Sequence, residues 1–243
     1  MKENKKAILE ILKKKSKKDG KFENLVLNLA LQKIDSDSFE FDGDAVYTAD
    51  KKRLVYCMSQ NEQFTIPEGV IIIGEMAFRG KKQLKYINIP NSVKEIEHDA
   101  FYDCDELDNV FIPAGVKEIE HDAFYDCDEL DNVFIPAGVK EVKSYAFAEC
   151  DKLKKITFAG TPSKLSRHAF DDCDLLHNII VPEGAGKFFR KSLHFINGDT
   201  DFLVIEKTEK KVNTPTAPKS EKQSKKKEEK EVSKKKENSK KEE

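Results

Sequence analysis

EIEHDAFYDCDELDNVFIPAGVK fills residues 95–117, and the same 23 letters fill 118–140 without a substitution. Around this duplication an Ala-Phe pair recurs at 77–78, 100–101, 123–124, 146–147 and 169–170, always 23 residues apart. A strict period of that length is the mark of a solenoid, in which each repeat is one coil resting on the last. Such a fold favours binding through an extended surface over chemistry in a pocket.

Charge is distributed unevenly over the 243 residues. Residues 1–24 carry nine Lys against four acids, and 206–243 carry 14 Lys against nine. Both ends are therefore basic, while the whole chain is −2, so the body between them is strongly acidic. Five cysteines are an odd number, which leaves at least one thiol free or paired between chains. Cys104, Cys127, Cys150 and Cys173 follow the period, so their Cβ vectors run parallel, whereas a disulfide needs converging ones. Buried free thiols in a reducing compartment are expected.

The apolar run AILEIL at 7–12 is short, is broken by Glu10, and has no small-residue cleavage site behind it. No stretch reaches the ~20 apolar residues of a membrane span. A cytoplasmic location is the expectation, with the cell surface by a non-standard route as the alternative.

Segment 1–38 reads as two short helices parted at Asp19-Gly20, with Ala7, Ile8, Ile11 and Leu12 on one apolar face. Phe22, Leu25, Val26, Leu29 and Ala30 form the second face. Two readings stand: a cap over the open end of the solenoid, or a basic helix for a membrane surface or partner. Val46, Tyr47, Leu54, Val55 and Tyr56 suggest a hairpin around Ala49-Asp50-Lys51-Lys52. Regular coils then run from Ile66 to Pro182, with Leu84, Leu107, Leu130, Leu153 and Leu176 in one column. Ile87, Val110, Val133, Ile156 and Ile179 make a second column, and Ile89, Ile112, Ile135, Phe158 and Val181 a third.

The aligned coil, Ile-Pro-x-x-Val-x-x-Ile-x-x-x-Ala-Phe-x-x-Cys-x-x-Leu, resembles the leucine-rich repeat, and specifically its BspA-like subclass. The resemblance covers about half of the chain. FDGDAVYTADKKRLVYC and VPEGAGKFFRKSL are similar to the lead-in and last coil of such arrays. Lys81 stands where the first Cys belongs, Ala159 where Pro belongs and Pro162 where Val belongs, so an irregular fifth coil with a displaced turn is expected. The resulting domain plan is a helical segment at 1–38, a five-coil repeat domain at 39–205 closed by a cap, and a tail at 206–243. The resemblance implies adhesion or host-protein binding, as in many secreted relatives.

One coil cannot bury its own Leu, Ile and Phe, but neighbours above and below can. Each buried Phe contributes about 1.5–3 kcal/mol. Pro lacks the N–H that would continue a ladder and so ends each strand. Cys is expected as a small side chain turned inward at the bend.

The acidic stretch invites a metal reading, because His98 and His121, Asp99 and Asp122, Asp103 and Asp126, and Cys104 and Cys127 all repeat. Zinc sites need converging ligands, however, and these residues stack in parallel columns that stop where Ser144 and Arg167 replace His. A solvated acidic edge is the plainer reading. No phosphate loop, nucleophile elbow or metalloprotease helix is present, so neither an enzyme, a cofactor nor a small-molecule substrate is expected.

Strand alternation turns outward the residues between the buried Leu, Ile and Ile of each coil. Tyr86, Asn88, Asn109, Phe111, Asn132, Phe134 and Thr157 are the candidate partner-binding residues, and the Phe pair beside Tyr86 makes an apolar ladder expected to be exposed. The competing reading is that the ladder stabilises the sheet by cross-strand pairing or lies under a terminal segment. The tail, nearly pure Lys, Glu and Ser, cannot bury a core and is expected to be disordered. Lys225–Lys227 and Lys234–Lys236 offer non-specific contact with nucleic acid or anionic lipid. The function expected is a non-catalytic module that binds a protein partner on its strand face. The alternatives are an adhesin, or a peripheral membrane or nucleic-acid-associated protein led by its basic ends.

Overall fold

The computed structural model describes Lys2–Glu3, Lys6, Glu10, Leu31, residues 39–193 and the backbone of 203–207. The two helical faces expected at 1–38 and the tail from 208 lie outside these residues, apart from the isolated positions named.

Alternating apolar residues and a Pro stop make each coil give one strand to each of two sheets. One sheet has seven strands: Gln63–Thr65, Tyr86–Asn88, Asn109–Phe111, Asn132–Ile135, Lys155–Phe158, Asn178–Pro182 and Leu203–Lys207, all parallel. The other has nine. Lys2–Glu3, Phe39–Phe41, Ala45–Thr48 and Arg53–Cys57 pair antiparallel, and Ile72–Ile73, Glu95–Ile96, Glu118–Ile119, Glu141–Val142 and Lys164–Leu165 continue in parallel. Partners such as Glu118 and Glu141 are 23 residues apart, so the sequence period is the register of the sheet.

The arc after each short strand carries a third backbone ladder. The amides of Asp99, Phe101 and Asp103 donate to the carbonyls of His121, Ala123 and Tyr125 in the next coil. Asp122, Phe124 and Asp126 repeat the pattern onto Ser144, Ala146 and Ala148. Both outer residues of each triplet are left-handed: φ is 55° at Asp99, 60° at Asp103, 56° at Asp122 and 58° at Asp126. Asp is among the few side-chain-bearing residues enriched in that region. The repeated Asp columns therefore serve the backbone, a role their spacing alone did not reveal. Met76, Tyr145 and Glu149 hold the same conformation at equivalent places, so Asp is favoured there without being required.

Inside the arc the Ala-Phe pairs form the core. Phe78, Phe101, Phe124, Phe147 and Phe170 stack with ring centroids 4.9, 5.0, 5.1 and 5.8 Å apart. Each Cys lies beside this column, buried and free of disulfide as expected. The thiols of Cys104, Cys127, Cys150 and Cys173 donate to the carbonyls of Phe78, Phe101, Phe124 and Phe147, at 3.2, 3.3, 3.3 and 2.9 Å. A buried carbonyl needs a donor, and the thiol supplies one in the volume of a small apolar side chain. Lys81, in the same column, is 2% exposed, and its ammonium lies 5.2 Å from the centre of the Tyr56 ring.

The fifth coil corrects one expectation. In regular coils the Val amide closes the turn on the Pro carbonyl, as Val116 does on Pro113 at 3.0 Å. Pro162 has no amide to give, yet it is buried in the Val column, and Lys164–Leu165 still pairs with Glu141–Val142. The turn loses a bond and keeps its place.

Both ends depart from the plain repeat. The hairpin forms as expected, with a bulge between Val46 and Tyr47 and the Lys51 amide bonded to the Thr48 carbonyl at 2.8 Å. Leu31, Phe39, Val46, Val55 and Tyr56 make a small second core on the outer side of the nine-stranded sheet. At the far end the helix Gly186–Ser192 sets Phe189 4.6 Å from Phe158. Leu203–Lys207 adds a strand beyond Asn178–Pro182, so the tail boundary placed at 205 falls within a strand.

Candidate binding face

On the seven-stranded sheet, alternation sends Ile87, Val110, Val133, Ile156 and Ile179 into the core and leaves two rows on the opposite side. In the first, Tyr86, Asn109, Asn132, Lys155 and Asn178 pair strand to strand. In the second, Phe111, Phe134, Thr157 and Ile180 pair likewise, and Asn88 shares their face, two residues after Tyr86. The fold thus brings all seven candidate residues onto one surface.

Their exposure is uneven. Tyr86 is 41% exposed and Asn109 is exposed, while Asn88, Phe111, Asn132 and Thr157 are half-buried. Phe134 is only 8% exposed, although it belongs to neither core cluster. The expected exposed Phe ladder therefore narrows to Phe111, with Phe134 flanked in register by Phe111 and Thr157. The Asn132 amide donates to the Asp131 carboxylate, which orients that Asn in its row.

Around the arc, ligand atoms of His98, Asp99 and Asp122 come within 4.8 Å of one another. Protein partners already engage two of them. The Arg79 guanidinium binds Asp99, and His98 Nδ1 lies 2.9 Å from the His121 carbonyl, to which it must donate. Asp99 is thus held in an ion pair, and Asp122 meets His98 Nδ1 only at 3.7 Å. Burial pushes the Cys57 thiol up to about 12, and the four column thiols are buried too.

Two features of this edge escaped a reading by columns alone. Arg79 lies 3.8 Å over the Tyr102 ring, which stacks on Tyr125 at 4.8 Å, and the Tyr125 hydroxyl donates to Glu149 at 2.9 Å. The +23 spacing of Arg79, Tyr102 and Tyr125 was the available signal. The second feature is electrostatic. Lys82 bridges Asp103 at 2.7 Å and Asp105 at 2.9 Å, but the next coil has Asp105 where Lys82 stood. Burial first, then repulsion from Asp126, Asp151 and Asp105, pushes the Asp128 carboxyl up to about 6.

Residues 51–181 match the model of the BspA type leucine-rich repeat region in six copies, more than half of the chain. The chain belongs to the BspA-type leucine-rich-repeat family. Six copies are one more than the Ala-Phe pairs count, and in the structure Arg53–Cys57 and Gln63–Thr65 give one strand to each sheet ahead of the first pair. No curated protein matches the chain. Among solved structures, the pneumococcal vaccine antigen PcpA is similar at 21% identity and a TM-score of 0.57, over 70% of this chain and 48% of that one. A leucine-rich repeat protein from Bacteroides ovatus is 30% identical with a TM-score of 0.47, over 59% of this chain and 40% of that one. The T. pallidum leucine-rich repeat protein TpLRR is 20% identical with a TM-score of 0.48, over 65% of this chain and 94% of that one. The chain spans about half the length of the pneumococcal antigen or less of the Bacteroides protein. No helix among the described residues is long and apolar enough to cross a membrane.

Proposed function

We propose that this BspA-type repeat array is a non-catalytic module that binds a protein partner on the outer face of its seven-stranded sheet. The observation that carries this reading is the in-register display of Tyr86 and Asn109 beside Asn88 and Phe111. They form an aromatic and amide surface rather than the charged one found elsewhere on the body. Aromatic side chains are enriched at binding hot spots, and amide rows supply donors and acceptors at each strand spacing. Phe134 and Thr157 back the surface, and Asn132 extends it. The setting we propose is a reducing compartment, in keeping with five buried free thiols.

The test is affinity capture with the wild-type chain and with Tyr86→Ala/Phe111→Ala, at low and moderate salt. Loss of a reproducible partner in the double variant at both salt levels is expected. A partner lost on raising the salt and indifferent to the substitutions would instead point to the basic ends. Surface biotinylation of intact cells distinguishes a cytoplasmic protein from an exported adhesin.

A further inference from the structure

The Asp columns serve the backbone through their left-handed φ, and that role does not involve their carboxylates. At Asp99 and Asp122 the carboxylates meet the His98 imidazole, and ligand atoms of the three lie within 4.8 Å of one another. Among the described residues no other set of three His, Cys, Asp or Glu side chains converges in this way. Parallel columns alone would not bring this about, because His98 and Asp99 are successive residues and strand alternation turns such neighbours apart. Asp99 is left-handed, at φ 55°, and its Oδ1 comes 3.2 Å from His98 Nε2. Asp122, one coil further, supplies the third group, with Oδ2 3.7 Å from His98 Nδ1.

The groups that engage this trio orient it. His98 Nδ1 donates to the His121 carbonyl at 2.9 Å, which leaves the lone pair of the neutral ring on Nε2. A ring N–H held by a backbone carbonyl is the usual support of a metal-binding imidazole. The Nε2 lone pair then faces Asp99 Oδ1 at 3.2 Å, and two such atoms repel unless a proton or a cation lies between them. The same separation suits neighbouring ligands of one ion, since two bonds of about 2.1 Å meeting at about 90–110° span about 3.0–3.4 Å. The Asp99 side chain is only 8% exposed, and its Oδ2 takes the Arg79 guanidinium, which lies 3.8 Å over the Tyr102 ring. Arg79 thereby fixes that carboxylate and offsets one of the two negative charges. No Lys or Arg pairs with Asp122 among the described residues. The arrangement is therefore a nitrogen and two carboxylates in a set geometry, which distinguishes it from a plain acidic edge. It does not repeat. One coil later Tyr145 stands in place of the third ligand and Tyr102 in place of Arg79, and one coil earlier Glu75 and Met76 replace His98 and Asp99.

We propose that His98, Asp99 and Asp122 form a site for one divalent transition ion of the zinc class, held by His98 Nε2, Asp99 Oδ1 and the Asp122 carboxylate. The imidazole nitrogen selects such an ion over calcium and magnesium, which take oxygen ligands. Three protein ligands leave a coordination position open to water. Because His98 and Asp99 belong to one coil and Asp122 to the next, the ion clips two coils of the arc together. The site lies on the arc rather than on the Tyr86 and Phe111 face, and the proposal does not rest on that reading.

The experiment is calorimetric titration of the full chain, metal-free and with its thiols reduced, with zinc ions in a non-chelating buffer. One ion per chain should bind with a dissociation constant below about 10 µM. The melting temperature should rise with zinc concentration, since the ion binds the folded chain. His98→Ala and Asp122→Asn should each weaken binding at least tenfold, and Asn keeps the left-handed turn at 122. Nitrogen NMR of the wild type should show zinc on His98 Nε2 with Nδ1 still protonated. If a variant lowers the metal-free melting temperature, that spectrum decides alone. His121→Ala should bind zinc as the wild type does, because only the main chain of His121 takes part. Binding weaker than about 10 µM, displacement by millimolar calcium, or zinc on His98 Nδ1 would each overturn the proposal. So would a folded His98→Ala or Asp122→Asn variant that binds as tightly, or an equal loss in His121→Ala.

Discussion

Replacing Phe124 by Ala tests the physical centre of the fold. Phe124 is fully buried, with Phe101 stacked on one side at 5.0 Å and Phe147 on the other at 5.1 Å, its ring nearly parallel to both. Truncation removes the transfer free energy of the ring and leaves a cavity between two rings held by their own backbone ladders. Phe→Ala in such a site costs about 3–5 kcal/mol. The upper half of that range is expected here, because the amides of Phe101 and Phe147 bond to Ala123 and Ala169 and keep the flanking coils from closing the gap. A solenoid couples only neighbours, so the cavity should also weaken the link between the coils before and after it. Urea denaturation followed by far-ultraviolet circular dichroism should show a lower midpoint and a shallower slope, the slope reporting less surface exposed in one step. Phe124→Leu should restore most of both. A loss below about 1 kcal/mol with an unchanged slope would refute a core built on the Phe stack.

The remaining predictions concern the ladders and the acidic edge. Cys127→Ala strips the donor from the Phe101 carbonyl and should cost about 1–3 kcal/mol in urea, with Cys127→Ser recovering part of it through its hydroxyl. Gly138→Ala should destabilise the chain clearly, since a Cβ there would sit 2.3 Å from the Ala114 carbonyl oxygen. Gly115→Ala, at the same place in the duplicate, meets only the movable end of Lys94 and should fall within about 0.5 kcal/mol of wild type in the same assay. Asp128 is raised in the folded state, so the native protein holds more protons than the unfolded chain between about pH 4 and 6, and stability falls as pH rises through that window. Asp128→Asn should therefore raise the melting temperature at pH 7.5 and leave it unchanged near pH 3. Solvent screening of this partly open side chain should hold the gain below about 1 kcal/mol.

The period made the core legible, since Ala-Phe, Leu and Ile-x-Ile columns state directly which side chains meet from coil to coil. The hairpin was legible as well, because alternation and a polar turn are local signals. The third backbone ladder was not. Asp at left-handed positions looks like acidic chemistry in a letter string, and only the backbone angles separate the two. Phe134 shows the same limit from the other side: alternation gives the face a residue points to, but not how much water reaches it. The sixth coil was missed because Arg53–Cys57 to Gln63–Thr65 lacks the Ala-Phe pair, and its strands are defined by their partners rather than by their own residues.

The verbatim repeat at 95–140 makes the coil boundary at 117 equivalent to the one at 140 in both sequence and register. Excising one copy joins Lys117 to Glu141, which reproduces the Lys-Glu junction found at 117–118 and 140–141. The strand above still meets the strand below, and the Cys and Phe columns shorten by one rung without a break. Array length can therefore change by one whole coil without creating a new junction, while the terminal hairpin and helix stay untouched. The length of the displayed face is, in this sense, adjustable in steps of one strand.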